Sequence, residues 1–328
     1  MVFRTEFEIP ELSRKLNYAT KALFIGSCFT SNIGECMQRY KFPADVNPFG
    51  VIYNPLSIIN SLELLQSGYR FGGEELLYQN GLWFSYTHHS SFSSPDKEQC
   101  LSRINRRMRQ STEFLQQADF LFITLGTAYA YKLKKTGKVV ANCHKTPTSE
   151  FDRMLLSTGE IIESFRILFD SLLRKNPSLN IIFSVSPVRH LKDSAHGNQL
   201  SKASLLLAID ELQKQYTGAC FYFPAYELLL DDLRDYRFYA NDMRHLSEQA
   251  IKYIREKFNK AVISADCIQI MNQVESIVAA ANHRPFNTDS EQYKAFQQKT
   301  IDKIYQLQAQ YPFMNFTSEL ETLQTNRF

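Results

Sequence analysis

The stretch FIGSCFTSNIGECM, residues 24–37, joins an apolar run to a helical pattern through Gly26, Ser27 and Cys28. An apolar run followed by helical spacing is typical of a buried strand that leads into a helix. Glycine permits a sharp backbone turn, and the unsatisfied N–H groups at the start of a helix attract an anion. The stretch therefore either makes an ordinary turn or displays Ser27 at a strand end for acyl-transfer chemistry.

Further apolar runs bounded by turn residues recur along the chain. They are nearly continuous rather than alternating, which is typical of parallel strands covered on both faces. The runs occupy residues 21–25, 118–124, 179–185 and 219–223, with a weaker one at 42–46. The helical patterns between and after them occupy residues 30–40, 157–178, 199–216 and 246–262. This alternation predicts a three-layer α/β/α sandwich with a central parallel sheet, in which ligands bind at the carboxyl ends of the strands.

Two departures from the alternation define the predicted domain organisation. Residues 55–117 are predicted to be an insertion in a domain that spans residues 1–260. Asn-Gly at 80–81 and Thr-Gly at 136–137 predict the hairpin turns of a small β insertion beside the sheet. Residues 261–328 are more polar and helical, so we expect a C-terminal helical extension that packs on the domain. The extension leaves open whether the chain forms a homodimer.

The composition is that of an ordinary globular protein. Of the 328 residues, 44% are hydrophobic and 22% are charged, and the formal net charge is +3. A charge this small over this length indicates neither a nucleic-acid surface nor a membrane surface. The sequence shows no signal peptide and no apolar run of the roughly 18 residues that a membrane helix needs. We therefore expect a cytoplasmic protein, and the scattered spacing of its six cysteines predicts reduced thiols.

Motifs for metals and nucleotides do not occur in the sequence. The seven histidines form neither HExxH nor a paired Cys/His spacing, and His88 and His89 are adjacent. Glycine-rich phosphate-binding patterns are missing too. We therefore expect neither a bound metal nor a cofactor.

The stretch YANDMRHLSEQA, residues 239–250, holds Asp242 and His245 three residues apart, immediately before the last helix of the alternating region. A nucleophilic serine needs a base, and that base needs a partner that fixes its tautomer. Ser247 is expected to cap the helix and so to fix the loop. Together with Ser27 at the end of the first strand, this spacing predicts a Ser-His-Asp triad.

These residues resemble the GSCFA domain family, which belongs to the SGNH, or GDSL-like, hydrolase superfamily. GSCF follows the first strand, and Asp-x-x-His precedes the last helix. The resemblance covers about residues 21–258 and includes four further blocks in order, namely VNPFGVIYNPLS, TLGTAYAY, SPVRHLKDSAHGNQLSKASLL and YFPAYELLLDDLRDYRFYANDMRHLSEQA. It implies a flavodoxin-like sandwich with a central parallel sheet and the activity of a serine ester hydrolase.

The resemblance also implies roles for particular positions. Ser27 would be the nucleophile, His245 the general base and then acid, and Asp242 the orienting carboxylate. The oxyanion hole would use the N–H of Ser27, Gly50 after the second strand, and an asparagine after the third strand. This chain has no such asparagine, and Thr127 is only its positional substitute. Loss of one such donor typically costs about a hundred- to a thousandfold in rate.

Three other polar residues are candidate substrate-binding groups. They are His89 in the predicted insertion, Arg189 after the fourth strand and Asn198 just before the next helix. At the carboxyl end of a strand, Arg189 is placed to meet an anionic substrate or to clamp Asp242. Pairing of Arg189 with an acidic neighbour such as Asp193 is equally open.

Three functional hypotheses follow. The first is an esterase or deacylase of the SGNH type that acts on a small-molecule or carbohydrate acyl ester, such as an acetyl ester. The second is a catalytically inactive binding or scaffold protein that retains the fold, and the missing asparagine favours it. The third makes Cys28 the nucleophile and His245 its base, because a helix N-terminus lowers the pKa of a thiol. The sequence does not identify the substrate.

Overall fold

The computed structural model describes residues 4–283 and 290–325. The strands are β1 (Ala22–Gly26), β2 (Ala44–Val46), β3 (Leu77–Gln79), β4 (Leu82–Phe84), β5 (Phe120–Leu125), β6 (Tyr129–Leu133), β7 (Val139–Val140), β8 (Phe151–Leu155), β9 (Asn180–Val185) and β10 (Cys220–Tyr222). The helices are α1 (Cys28–Arg39), α2 (Pro55–Ser67), α3 (Lys97–Leu115), α4 (Thr158–Lys175), α5 (Ser194–Gln215), α6 (Ala225–Glu227), α7 (Glu248–Val262), α8 (Cys267–Ala281), α9 (Glu291–Gln310) and α10 (Thr317–Thr325). A π-helical segment, Leu228–Leu233, continues from α6.

Five strands form one fully parallel sheet in the order β10-β9-β5-β1-β2. Counted along the chain, this is the order 2-1-3-4-5 of flavodoxin-like folds, and the predicted α/β sandwich with a central parallel sheet is confirmed. The direction of winding reverses between β1 and β5. The carboxyl ends of these two strands therefore border the crevice in which such folds bind ligands.

Successive residues of β1 alternate between two hydrophobic cores, one on each face of the sheet. Leu23 and Ile25 belong to the core shared with α2, α3, α4 and α5. Ala22 and Phe24 belong to the core shared with α1 and α7, where Phe24 stacks on Phe122 of β5 at 4.4 Å between ring centroids. Because both faces are covered, nearly every position of these strands is apolar.

Helices α8, α9 and α10 extend the core on the α1 face of the sheet. Their residues Val274, Ile304 and Leu323 belong to the same buried cluster as Phe24. Just after α1, Lys41 pairs with Glu319 of α10 at 2.7 Å. The C-terminal helices thus share an apolar layer with the sandwich.

The predicted β insertion is divided between two small sheets. The hairpin of β3 and β4 turns at Asn80 and Gly81, whose φ values of 53° and 78° fit a type I′ turn. Strands β6, β7 and β8 form a separate antiparallel sheet that follows β5, in the order β7-β6-β8. Strand β8 is not among the predicted strands, because most of its side chains are exposed and it has no continuous apolar run.

All six cysteines carry free thiols. Within the described ranges, no helix combines the length and the apolar character that crossing a bilayer requires.

Candidate active site

Ser27 of the Gly26-Ser27-Cys28 motif lies at the junction of β1 and α1. The preceding Gly26 has a φ of +143°, and a Cβ there would lie 2.2 Å from the carbonyl oxygen of Thr124. Only glycine fits such a position. The Gly26 N–H donates to Asn47 Oδ1 at 2.8 Å, and the Ser27 N–H donates to the Thr124 carbonyl at 3.2 Å. The backbone of the serine is therefore fixed by the packing of β1 against β5.

The Ser27 hydroxyl is a buried polar group that makes no helix-capping hydrogen bond. Ser27 is the N-cap residue of α1 and is 2% exposed, but its side chain does not accept the N–H bond that a capping serine usually takes. Its Oγ has no hydrogen-bond partner among the described residues. Since buried polar groups are normally hydrogen-bonded, this hydroxyl is an exception that needs an explanation.

A cavity of about 440 Å³ opens beside Ser27 at the carboxyl ends of the strands. It brings together five of the predicted residues, namely Ser27, Cys28, Thr127, Arg189 and His245. The rest of its lining is Tyr53, Asn54, Tyr129, Tyr131, Val140, Ala141, Asn142, Cys143, Arg153, Ser186, Val188, His190, Leu191, Lys192, Asp193 and Arg244. Its position is the one expected for a ligand site in a doubly wound fold.

Asp242 holds His245 in the loop before α7. His245 Nδ1 and Asp242 Oδ2 are 2.5 Å apart, and Asp242 Oδ1 accepts the N–H groups of Arg244 and His245, both at 3.0 Å. These bonds hold the pKa of Asp242 well below its ordinary value, with the His245 side chain as the largest cause. An ionised Asp242 favours the tautomer of His245 that carries its proton on Nδ1.

Ser27 and His245 border the same cavity, but they are not hydrogen-bonded to each other within the described structure. Asp242 lies outside the cavity lining. The side chains of His245 and Asp242 are 57% and 48% exposed. Hydrogen bonds within the turn, rather than core packing, therefore set the orientation of this pair.

Each of the three predicted oxyanion-hole residues donates its N–H group to another group of the protein. The N–H groups of Ser27, Gly50 and Thr127 all donate to backbone carbonyls, and Gly50 lies outside the cavity lining. The acceptors are, in that order, the carbonyls of Thr124 at 3.2 Å, Asn47 at 2.8 Å and Tyr53 at 3.1 Å.

Cys28 lines the cavity beside Ser27. Burial raises the pKa of its thiol above the ordinary value, against smaller opposing effects from the N–H groups of Phe29 and Cys28 and from Lys202. Burial thus outweighs the effect of the helix N-terminus. The thiolate that the Cys28 hypothesis needs is disfavoured.

The three predicted substrate-binding residues lie in different settings. His89 packs beside Gly50, where a Cβ on the glycine would lie 2.3 Å from the His89 Cβ, and it lies outside the cavity lining. Asn198 is buried in α5, and its Oδ1 accepts the N–H of His190 at 3.0 Å. Of the three, Arg189 lines the cavity.

Arg189 does not pair with either of the carboxylates predicted for it. Asp193 contacts Arg153 of β8, and Asp242 contacts His245. In the part of the chain that the structure describes, no carboxylate pairs with Arg189, and its buried Nε has no hydrogen-bond partner. The guanidinium therefore reaches the cavity lining without an anion.

Two buried or partly buried bases, Lys202 and His190, are not among the predicted site residues, and of the two His190 lines the cavity. Lys202 of α5 is 1% exposed, and its Nζ donates to the carbonyls of Gly126 at 2.7 Å and Ser186 at 2.6 Å, which ties the ends of β5 and β9 together. Burial lowers the pKa of Lys202 to about 7. His190 lines the cavity, and burial together with the charges of Lys202 and Arg153 lowers its pKa to about 4.

His88, the neighbour of His89, is a core residue. It lies among the rings of Phe49, Phe71 and Phe92, and burial lowers its pKa to about 3. Among the residues that the structure describes, no group of three or more His, Cys, Asp or Glu side chains is arranged to hold a metal ion.

The sheet order and the cavity at its switch point define an α/β protein of flavodoxin-like topology with a candidate ligand site at that cavity. The chain belongs to the GSCFA family, whose family model matches residues 21–258. A second model, described as the C-terminal domain of GSCFA domain proteins, matches residues 274–326. No curated protein matches the chain.

Solved structures of two carbohydrate esterases are similar to the chain. One is a family two carbohydrate esterase from Clostridium thermocellum in complex with cellohexaose, with 13% identity, a TM-score of 0.38 and coverage of 80% of this chain and 67% of that chain. The other is an acetyl xylan esterase from the rumen bacterium Butyrivibrio proteoclasticus, with 13% identity, a TM-score of 0.32 and coverage of 64% of this chain and 56% of that chain. Similarity at this level does not assign an activity.

Proposed function

We propose that the protein is a serine esterase that hydrolyses an acyl ester of a small molecule or a carbohydrate. Ser27 is the nucleophile, His245 the general base and acid, and Asp242 the orienting carboxylate. The observation that carries the proposal is the buried hydroxyl of Ser27, which has no hydrogen-bond partner among the described residues and lies at a cavity that His245, bonded to Asp242, also lines.

Acyl transfer proceeds in two steps. His245 Nε2 takes the proton of Ser27 Oγ while Oγ attacks the carbonyl carbon of the ester, and the same proton passes to the alcohol as its C–O bond breaks. In the second step His245 deprotonates a water molecule, which attacks the acyl-serine and releases the carboxylic acid as Ser27 Oγ recovers its proton. Asp242 stays ionised and stabilises the imidazolium in both steps.

His245 must approach Ser27 for this transfer. A general base takes a proton across a hydrogen bond of about 2.6–3.2 Å, and such bonds are often looser before substrate binds. His245 and Asp242 lie in an exposed turn, whereas Ser27 is buried, so the approach requires movement of the turn with its His245–Asp242 bond intact.

The developing oxyanion needs donors other than those that the resemblance implies. The N–H groups of Cys28 and Phe29 begin α1 directly after Ser27. We assign the oxyanion to these two groups, because N–H groups in the first turn of a helix have no acceptor within it.

Mass spectrometry after treatment with a fluorophosphonate tests the proposed function. Wild-type protein is compared with Ser27→Ala and, as the matched neighbour, with Cys28→Ala. We expect a single adduct on Ser27 in the wild type and in Cys28→Ala, and turnover of p-nitrophenyl acetate by both. An adduct on Cys28, or wild-type turnover by Ser27→Ala, contradicts the proposal.

One observation favours a second candidate, a binding protein that keeps this fold without catalysis. The N–H groups of all three residues that the resemblance implies for the oxyanion hole donate to backbone carbonyls of the protein. They are therefore not free to bind an oxyanion. Folded wild-type protein that shows no adduct and no turnover, yet binds esters at the cavity, would decide for this candidate.

A further inference from the structure

Cationic side chains are in excess around the cavity beside Ser27. Arg153, Arg189, Lys192 and Arg244 line it, and Asp193 is the one carboxylate of its lining within the described residues. Asp193 already contacts Arg153. Over the whole chain, 37 basic residues nearly balance 34 acidic ones, so the excess is a local property of this site.

Among these lining cations, Arg189 is the one with a buried Nε that has no hydrogen-bond partner among the described residues. It follows β9 in a loop that the bond from the His190 N–H to Asn198 holds in place. Across residues 4–283 and 290–325 no carboxylate pairs with it, and its buried Nε has no acceptor. The groups affected by its charge include the phenols of Tyr226 and Tyr239, which are neutral. A partly buried guanidinium without an anion is unfavourable, and its planar donors match a carboxylate or phosphate in a bidentate manner.

The surroundings of Arg189 strengthen the positive field. Lys192 donates to the hydroxyl of Tyr131 at 3.1 Å, which keeps its charge at the cavity. The pKa of His190 is lowered first by burial and further by the positive charges of Lys202 and Arg153. A cleft lined by one sign of charge attracts ligands of the opposite sign and accelerates their association.

We propose that the site selects esters that carry a second, anionic group, a carboxylate or a phosphate, which binds Arg189 while the ester group lies at Ser27. The identity of the reacting group rests on the proposed esterase function, whereas the anion site rests on Arg189 and the cavity. A neutral ester leaves Arg189 unpaired, and an anionic ester supplies the missing acceptor.

Three acetyl esters of one aromatic ring test the proposal: para-acetoxybenzoate, para-acetoxyphenyl phosphate and the neutral para-acetoxybenzamide. Each kcat/KM is divided by the rate of hydroxide hydrolysis of the same compound, which removes differences between the leaving groups. The variants are Arg189→Gln, which removes the charge, and Arg189→Lys, which keeps the charge but loses the planar donors. Arg109→Gln is the control, because Arg109 is an exposed arginine outside this cavity.

We expect the wild type to prefer at least one anionic ester over the amide by about ten- to a hundredfold, the usual range for a hydrogen bond to a charged group. The preference disappears in Arg189→Gln, is reduced in Arg189→Lys and is retained in Arg109→Gln. Selection of the benzoate identifies a carboxylate, and selection of the phenyl phosphate identifies a phosphate.

Equal efficiency for all three esters, or a preference that survives Arg189→Gln, overturns the inference and leaves the esterase intact. Calorimetric binding of para-acetoxybenzoate, para-acetoxyphenyl phosphate and the amide to Ser27→Ala separates the two proposals. If the wild type turns over none of the esters but Ser27→Ala binds an anionic one through Arg189, the esterase fails and the anion site stands. If no anion binds more tightly than the amide, the anion site fails.

Discussion

Ser27 and the pair formed by His245 and Asp242 belong to one candidate site, but different forces hold them. Ser27 lies at the end of a central strand, where the close approach of Gly26 to Thr124 and the cores on both faces leave its backbone no alternative. His245 and Asp242 lie in an exposed turn whose own hydrogen bonds define it. The proposed nucleophile is therefore part of the global fold, whereas the proposed base is part of a local structure.

Because of this difference, we expect substitutions near Ser27 and substitutions in the turn of His245 and Asp242 to have different effects on stability and activity. Substitutions around Ser27 should act mainly on folding, because they disturb the packing of the sheet. Substitutions in the turn should act mainly on chemistry, since exposed side chains contribute little to the free energy of unfolding.

The largest effect is expected for Asp242→Asn in the turn. Asparagine still accepts the N–H groups of Arg244 and His245, but it no longer favours the productive tautomer, so we expect kcat for p-nitrophenyl acetate to fall by about 10⁴-fold with little change in stability. Asp235→Asn is the matched control, because Asp235 also accepts a backbone N–H in an exposed loop. A large loss of stability in Asp242→Asn would show that the turn is not a local structure.

Gly26→Ala should have the largest effect on folding. The added Cβ would lie 2.2 Å from the Thr124 carbonyl oxygen at a φ of +143°, so we expect the free energy of unfolding to fall by at least about 3 kcal/mol in urea titrations. Gly159→Ala in α4, where a Cβ meets no atom within 4 Å, is the control. Wild-type stability of Gly26→Ala would refute the close strand contact.

Lys202→Met should change how stability depends on pH. Burial lowers the pKa of Lys202 to about 7 in the folded protein, so between pH 7 and about 10.4 the unfolded chain holds a proton that the folded protein lacks. This group therefore makes the wild type more stable as pH rises through that range, by up to about 1.4 kcal/mol per pH unit.

The measurement for Lys202 is urea unfolding at pH 7, 8 and 9. We expect the free energy of unfolding of the wild type, minus that of Lys202→Met, to increase with pH. Lys214→Met, an exposed lysine of the same helix, should track the wild type. A constant difference across the three pH values argues against the lowered pKa.

The smallest effect is expected for the stability of Ser27→Ala. Its Oγ makes no bond to any described residue, so removing it should change the free energy of unfolding by less than about 0.5 kcal/mol. Ser57→Ala is the control: its buried hydroxyl accepts from Asn54 Nδ2 and donates to the Val140 carbonyl, and its loss should cost about 1–2 kcal/mol. Equal losses in the two variants would mean that Ser27 Oγ is bonded after all.

Much of the fold could be predicted because its signals are local. Nearly continuous apolar runs marked four strands of the parallel sheet, a weaker run at residues 42–46 marked β2, and Asn80 with Gly81 marked a hairpin turn. Strand β8 has no such signal, since it lies at the edge of its small sheet beside β6 and exposes most of its side chains. Its existence depends on a partner strand, which a pattern within five residues does not reveal.

The candidate site divides in the same way. Ser27 and Arg189 could be predicted as cavity residues because each follows a strand, and parallel strands end on one side of a sheet. The acceptors of the N–H groups of Gly50 and Thr127 could not, because they depend on how separate loops meet. Lys202 could not be predicted either, since a lysine within a helical pattern usually faces solvent.

The apolar layer shared by α1 and the C-terminal helices limits how this chain can be shortened. The family match ends at residue 258, which makes that position an inviting end for an expression fragment. Such a fragment would lose Val274, Ile304 and Leu323 and would expose the side of the cluster that contains α1, the helix that begins directly after Ser27. Exposed apolar patches of this kind promote aggregation, so a fragment designed on the family boundary alone would keep α1 but remove the apolar cover of the helix that follows the proposed nucleophile.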